Sequence, residues 1–194
     1  RRDDAKWDKR TISDSLEVIE EEADRLAKMI DDLLDASRLQ AGGMSLNRAD
    51  VALPALASRV IERFAVQSSK HQLVADFPEK FPVILADETR VEQVLANLVS
   101  NALKYAPQGE IRISGQARPE QVIVCVSDQG AGIEAKDLPH IFDRFYRSTN
   151  AVKQTKGAGL GLYLARAIVE AHGGRIWADS STGTGAMICF PLPR

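Results

Sequence analysis

NLVSNALKY, residues 97–105, sets an unusual polar face on a helix. Asn97, Asn101, Lys104 and Tyr105 recur at i, i+4, i+7 and i+8, which brings all four to one side of a 3.6-residue repeat. Leu98, Val99 and Ala102, with Val94 and Leu95 upstream, take the other side and predict burial. Two amides, an ammonium and a phenol stand in a row with no carboxylate among them. Asp87 is the expected N-cap of this helix.

Outward from that helix the pattern alternates. Upstream, MSLNRADVAL (44–53) suggests a strand, 54–69 an amphipathic helix with Pro54 near its start, and HQLVADF (71–77) a strand. Downstream, EIRISGQA (110–117) and QVIVCVSD (121–128) suggest adjacent strands separated by Pro119. Residues 133–158 are irregular and polar. GLGLYLARAIVEAH (159–172) suggests a helix opened by glycines, and RIWADSS and GAMICFPL suggest two closing strands. The pattern predicts a two-layer α/β domain, helices on one side of a mixed sheet.

Ahead of the domain, Ile12, Leu16, Ile19, Ala23, Leu26, Ile30, Leu33 and Ser37 step by fours and threes, a heptad seam over 11–38. Charged residues fill the other faces, and the paired glycines of AGGMS (41–45) end the segment. A helix of that length and regularity is expected to need a partner helix along its seam.

The 194 residues are 27% charged and 44% hydrophobic, with a formal net charge of −2. That balance argues against a dedicated nucleic-acid binder, which carries a basic excess. No apolar run approaches the roughly 20 residues that span a bilayer, and RRDDAKWDKR lacks the apolar core of a signal peptide. Cys125 and Cys189 each lie in an apolar strand-like run and are expected to be reduced core thiols. His71, His140 and His172 form no ligand cluster.

Four features occur in order: the amide-bearing helix, DQGAGI (128–133) directly after a strand, FDRFYR (142–147), and KGAGLGL (156–162) immediately before a helix. A glycine-rich helix start is a generic anion site, because backbone N–H groups face outward and glycine permits close approach. Singly each signal is weak. Together, with DETRVEQVLANLVSNALKYAP and HGGRIWADSSTGTGA, they resemble the ATP-binding catalytic domain of bacterial sensor histidine kinases, and the heptad segment resembles the second helix of its dimerisation and phosphotransfer hairpin.

That resemblance covers essentially residues 11–194. It implies a Bergerat-type histidine-kinase ATPase fold, an α+β two-layer sandwich with a mobile lid, preceded by the long heptad-patterned helix. It implies residues 1–41 as the second hairpin helix and 42–194 as the ATP-binding catalytic domain. ATP and Mg²⁺ are the implied cofactors. By the likeness, Asn101 is the Mg²⁺ ligand, a hard carbonyl oxygen suited to an ion that keeps most of its waters. Asn97 supports the metal and phosphate region, Lys104 supplies positive charge, and Tyr105 flanks the nucleotide. Asp128 is the adenine reader, since a carboxylate accepts the exocyclic amine of adenine and offers nothing to the carbonyl of guanine. Gly130, Gly132 and Ile133 border the base. Gly157, Gly159, Leu160 and Gly161 curl over the phosphates, and at least one of the lid cations Arg144, Arg147, Lys153 and Lys156 is expected to reach a phosphate, with Arg147 and Lys156 counted among the ATP-binding residues. Phe142 and Phe145 are expected to anchor the lid.

Relatives of this fold that hydrolyse ATP themselves place a Glu one turn before the metal-binding Asn. Here that position is Asn97, an amide that cannot take a proton. The site is therefore expected to hold Mg·ATP for a nucleophile brought from elsewhere, a histidine on its own or a partner subunit's hairpin. Onward transfer goes to a response-regulator receiver domain, in a homodimeric full-length protein. None of the three histidines lies in a HExxTP-like stretch, so the chain is expected to be a fragment, cytoplasmic on its own or as the cytoplasmic part of a membrane-anchored sensor, without membrane contact itself. Lys156, Ala158 and Ala186 stand where the family commonly has Gly, Thr or Ser, and Thr or Ser. A nucleotide-gated interaction or dimerisation module without kinase activity is the alternative. A self-contained ATPase is disfavoured by Asn97.

Overall fold

The computed structural model describes residues 8–40, 45–66, 69–148 and 158–194. In chain order these form α1 (Lys9–Gln40), β1 (Ala49–Val51), α2 (Leu53–Ala65), β2 (His71–Asp76), β3 (Ile84–Ala86), α3 (Glu88–Tyr105), β4 (Gly109–Ala117), β5 (Gln121–Ser127), α4 (Gly161–Ala171), β6 (Trp177–Ser180) and β7 (Ala186–Pro193). Five strands make one mixed sheet in the order β2-β4-β5-β7-β6, with β2 parallel to β4 and the remaining pairs antiparallel. β1 and β3 pair separately, Val51 opposite Ile84.

α2, α3 and α4 lie on one face of the five-stranded sheet. Val122, Val124 and Val126 of β5 and Ile188, Phe190 and Leu192 of β7 alternate toward them, matching Leu56, Val60, Val94, Leu98, Ile168 and Val169 from the helices. The period of 2 meets the period of 3.6 across one core, which is the two-layer arrangement expected from the pattern.

α3 starts where Asp87 accepts the Arg90 N–H on its side chain. It stops at Ala106, which precedes Pro107 and takes the extended conformation that proline favours in the residue before it. His172, buried at the end of α4, accepts the Asp87 N–H at Nε2 (3.1 Å) and donates from Nδ1 to the Ile168 carbonyl (2.8 Å). The end of α4 is thereby tied to the start of α3. α1 meets this end of the domain: Asp35 accepts from Arg90 Nη1 (2.7 Å) and Gln93 Nε2 (3.0 Å), and Ala36 is fully buried. Farther up α1, Ile12, Leu16, Ile19, Leu26, Ile30 and Leu33 of the heptad seam are exposed in the single chain.

Two expectations are corrected. The strand drawn over 44–53 is only Ala49–Val51, and Leu53 already belongs to α2 because Pro54 favours a first helical turn. The cysteines are not free thiols: Cys125 and Cys189 are joined as a disulfide, their Cα atoms 4.1 Å apart. The strands carrying them pair in a register that sets the two directly opposite each other. No alternation within either strand could reveal a partner 64 residues away.

Candidate nucleotide site

Where α3, the start of α4 and the ends of β5 and β7 converge, a cleft of about 270 Å³ opens. Its apolar wall comes from Leu98 and Ala102 on α3 and from Val126 and Ile188 on adjacent strands. Asn101 and Tyr105 enter from α3, Asp128 from the end of β5, Gly132 and Ile133 from the loop after it, and Arg147 and Ser148 from the following segment. Six of the predicted site residues (Asn101, Tyr105, Asp128, Gly132, Ile133, Arg147) therefore share one cavity.

Asp128 sits half-buried. Its Oδ1 accepts the N–H of Gly130 (2.8 Å) and of Ala186 (3.4 Å). Burial pushes its carboxyl pKa above the ordinary carboxylate value, and those two backbone donors pull the other way. Its own N–H donates to the Ala186 carbonyl at 2.9 Å, so the residue is fixed by backbone on both sides. The glycines around it are required by space. A Cβ on Gly130 would stand 2.8 Å from the Tyr105 carbonyl oxygen, and one on Gly185, whose φ is +84°, would collide with the Asp128 carbonyl.

Ser180 closes the same corner. Its hydroxyl accepts the Ile133 N–H (2.8 Å) and donates to the Gly185 carbonyl (2.7 Å). Sequence reasoning did not single it out, because DSSTGTG carries only a turn signal. Tyr146 and Asp137 were likewise missed: the phenol donates to Asp137 Oδ1 at 2.8 Å, a bond that raises the tyrosine pKa, and both residues border the cleft.

The other end of the cleft is built from the start of α4. Leu160, the residue before its first turn, gives no side-chain cap, so the first N–H groups of α4 are left to another acceptor. Gly159 has φ +71°, and its carbonyl accepts the Phe145 N–H at 3.0 Å, tying the FDRFYR segment to the second glycine stretch. Leu160 is a core residue rather than a cleft residue.

Asn97 does not line the cleft itself. It is 5% exposed, and its Nδ2 donates to the Gly161 carbonyl at 3.2 Å, linking α3 to the start of α4 from beneath the cleft. Lys104 is exposed and outside the cleft wall. Phe142 is buried as an anchor would be. Phe145 is 54% exposed with φ +63°, and the Arg144 guanidinium lies over its ring at 4.7 Å. Phe145 therefore does not anchor the lid through core packing. Lys153, Lys156 and Gly157 lie outside the described residues.

Among the described residues, no three His, Cys, Asp or Glu side chains gather to hold a metal, and no helix is long and apolar enough to cross a membrane. Asn101, whose side-chain oxygen is a hard, neutral donor, lines the cleft.

Residues 86–194 match the family described as histidine kinase-, DNA gyrase B-, and HSP90-like ATPase. The sensor histidine kinase WalK of Bacillus subtilis (strain 168) is 36% identical over 193 residues, 96% of this chain and 32% of that protein. Full-length ShkA, solved in complex with AMPPNP, superposes with a TM-score of 0.84 at 28% identity, covering 97% of this chain and 40% of that one. The histidine kinase ThkA, solved in complex with the response regulator protein TrrA, gives a TM-score of 0.75 at 27% identity over 96% of this chain and 52% of its own. The chain thus spans about a third to a half of these proteins.

Proposed function

Because this chain belongs to the histidine kinase-, DNA gyrase B- and HSP90-like ATPase family, we propose that it is the catalytic portion of a sensor histidine kinase, binding Mg·ATP and delivering the γ-phosphoryl group to a histidine on a helical hairpin. In this reading residues 42–194 are the ATP-binding domain and 1–41 the second hairpin helix. The observation that carries it is the cleft floored by Asp128 and walled by Asn101 and Tyr105 beside the uncapped start of α4.

Adenine enters against Val126 and Ile188, where Asp128 accepts its exocyclic amine. Gly130 and Gly132 keep the loop close to the base, and Ile133, held by Ser180, covers one edge. The triphosphate then points toward the start of α4, where the N–H groups around Gly159, Leu160 and Gly161 receive it. Arg147 supplies a cation from the cleft wall, with Lys156 and Gly157 of the lid and the exposed Lys104 of α3 assigned to the same end. Mg²⁺, bound through Asn101, would neutralise charge on the phosphate oxygens.

Asn97 spends its amide nitrogen on Gly161 and offers no base for water, so the site positions the nucleotide and leaves attack to an imported imidazole. That histidine comes from the chain's own or a partner's hairpin in a homodimer, for which the exposed seam of α1 is the contact surface. A response-regulator receiver domain takes the phosphoryl group next, in the cytoplasm.

The test is direct. Millimolar Mg·ATP raises the Tm of this chain, GTP does little, and Asn101→Ala and Asp128→Ala remove the shift. Labelled ATP with a separately supplied His-bearing hairpin yields phosphohistidine on the hairpin. Nucleotide binding without any transfer would instead favour an interaction module, and no Tm shift at all would overturn the site.

A further inference from the structure

The face of the sheet turned away from the helices carries a redox-capable pair that nucleotide binding does not use. Cys125 of β5 and Cys189 of β7 stand on one rung, with Ser114 beside Cys125 and Trp177 beside Cys189. Cys189 is 2% exposed, whereas Cys125 is partly exposed. The next rung, Val126 opposite Ile188, points through the sheet into the cleft. Beyond it Asp128 and Ala186 exchange two bonds: Asp128 N–H to the Ala186 carbonyl at 2.9 Å, which fixes the backbone, and Ala186 N–H to Asp128 Oδ1 at 3.4 Å, one of the two that hold the carboxylate. The disulfide is therefore three residues from the adenine-side carboxylate along one strand, and three from its backbone partner along the other.

We propose that Cys125–Cys189 is a reversible dithiol–disulfide exchange site that sets the geometry of the nucleotide cleft. The coupling to nucleotide rests on the function proposed above; the exchange chemistry does not. A thiolate of an external dithiol attacks the Cys125 sulfur, and the Cys189 sulfur leaves as thiolate and takes a proton. The second thiol of the reductant then displaces Cys125 and departs joined to its own partner as a disulfide, so two electrons have entered the protein. A low-molecular-weight disulfide drives the reverse.

In the reduced state the two sulfurs must keep van der Waals separation, and the covalent tie between β5 and β7 is gone. Interiors are close-packed, so the adjustment passes to neighbouring rungs rather than vanishing in slack. The rungs on one side are Val126–Ile188 and the Asp128–Ala186 exchange.

Redox titration of the purified chain with mixtures of reduced and oxidised dithiothreitol tests this with three readouts. Maleimide labelling is expected to count no thiols in the oxidised chain and two in the reduced one, passing through a reversible midpoint. Hydrogen exchange at the Asp128 and Ala186 amides is expected to speed up at least about tenfold on reduction. A fluorescent ATP analogue is expected to bind at least about threefold more weakly to the reduced chain, and Cys189→Ala is expected to abolish the redox response of both readouts. A disulfide that resists millimolar dithiothreitol in the folded chain would overturn the proposal. So would amide exchange and affinity that are the same in both states. Reversible labelling and altered amide exchange with no analogue bound in either state would sustain the exchange site and overturn the nucleotide reading instead.

Discussion

Asp128 combines two demands that oppose each other. In the function proposed above a carboxylate there reads the adenine amine, yet burial makes its ionised form costly, and its pKa rises for that reason despite the Gly130 and Ala186 donors. A raised folded-state pKa means that the native state binds the proton more tightly than the unfolded chain. The associated stability is present below the unfolded value of about 3.8 and is lost as pH climbs through the folded value. Asp128→Asn keeps an acceptor oxygen for both backbone donors and removes the charge. The variant is therefore expected to melt above wild type at pH 7 without nucleotide, with the gap closing as pH falls through the raised folded value and gone below about 3.8, and to lose the Mg·ATP shift. Differential scanning calorimetry across pH 3–8 checks the sign; a lower Tm at pH 7 contradicts it. Ala186 is the second test at this scale. Ala186 lines the cleft and its N–H donates to Asp128, so a hydroxyl added at this position is one more polar group beside the site proposed for the base. One added net hydrogen bond of about 0.5–1.5 kcal/mol corresponds to roughly 2–13-fold tighter nucleotide binding for Ala186→Thr, measurable by calorimetric titration.

At the scale of elements, the cleft is held by ties between pieces distant in sequence. Asn97 bonds α3 to α4, His172 bonds α4 to the start of α3, and Asp35 bonds α1 to Arg90 and Gln93. Asp35→Ala removes the acceptor shared by those last two side chains, in a position where both partners are largely sheltered. It is expected to cost about 1–2 kcal/mol locally, seen as faster hydrogen exchange in residues 33–37 with the β5 and β7 amides unchanged. Gly185→Ala strikes a turn instead. Its φ of +84° and the collision with the Asp128 carbonyl predict a loss of more than about 2 kcal/mol together with weakened nucleotide binding, read by urea unfolding. These elements differ in how legible they were. α3 and α4 each bury one clean stripe, so their period was visible, and the resemblance of their polar residues to a family pointed to the cleft. β3, three residues long, was too short to show alternation. The bond from Ser180 to two loops and the exposure of Phe145 depend on where separate segments meet, which no local pattern encodes.

Across the whole molecule, the disulfide divides the chain into what is stapled and what is not. The 64-residue span between Cys125 and Cys189 contains DQGAGI, the FDRFYR segment, the lid, α4 and the turn before β7, whereas α1, α2 and α3 lie outside it. Gly159, Gly161 and Arg147, three of the residues proposed to meet the phosphates, are thus carried on one closed loop, set against the amide-bearing helix that holds Asn101 and Lys104. In the chain-entropy account, closing a loop of this size removes roughly 4 kcal/mol of unfolded-state freedom. For a chain of this length that corresponds to about 8–16 °C in Tm. The double variant Cys125→Ala/Cys189→Ala is expected to melt lower than oxidised wild type by that margin, and fully reduced wild type is expected to fall near the variant. Because the gain acts on the unfolded chain, it appears in global unfolding and not as local tightening of α1, whose exposed seam lies outside the loop. Thermal melts of the three samples under matched conditions decide the matter. If the oxidised and reduced chains melt together, the staple contributes nothing to global stability, and the sheet register alone holds β5 against β7.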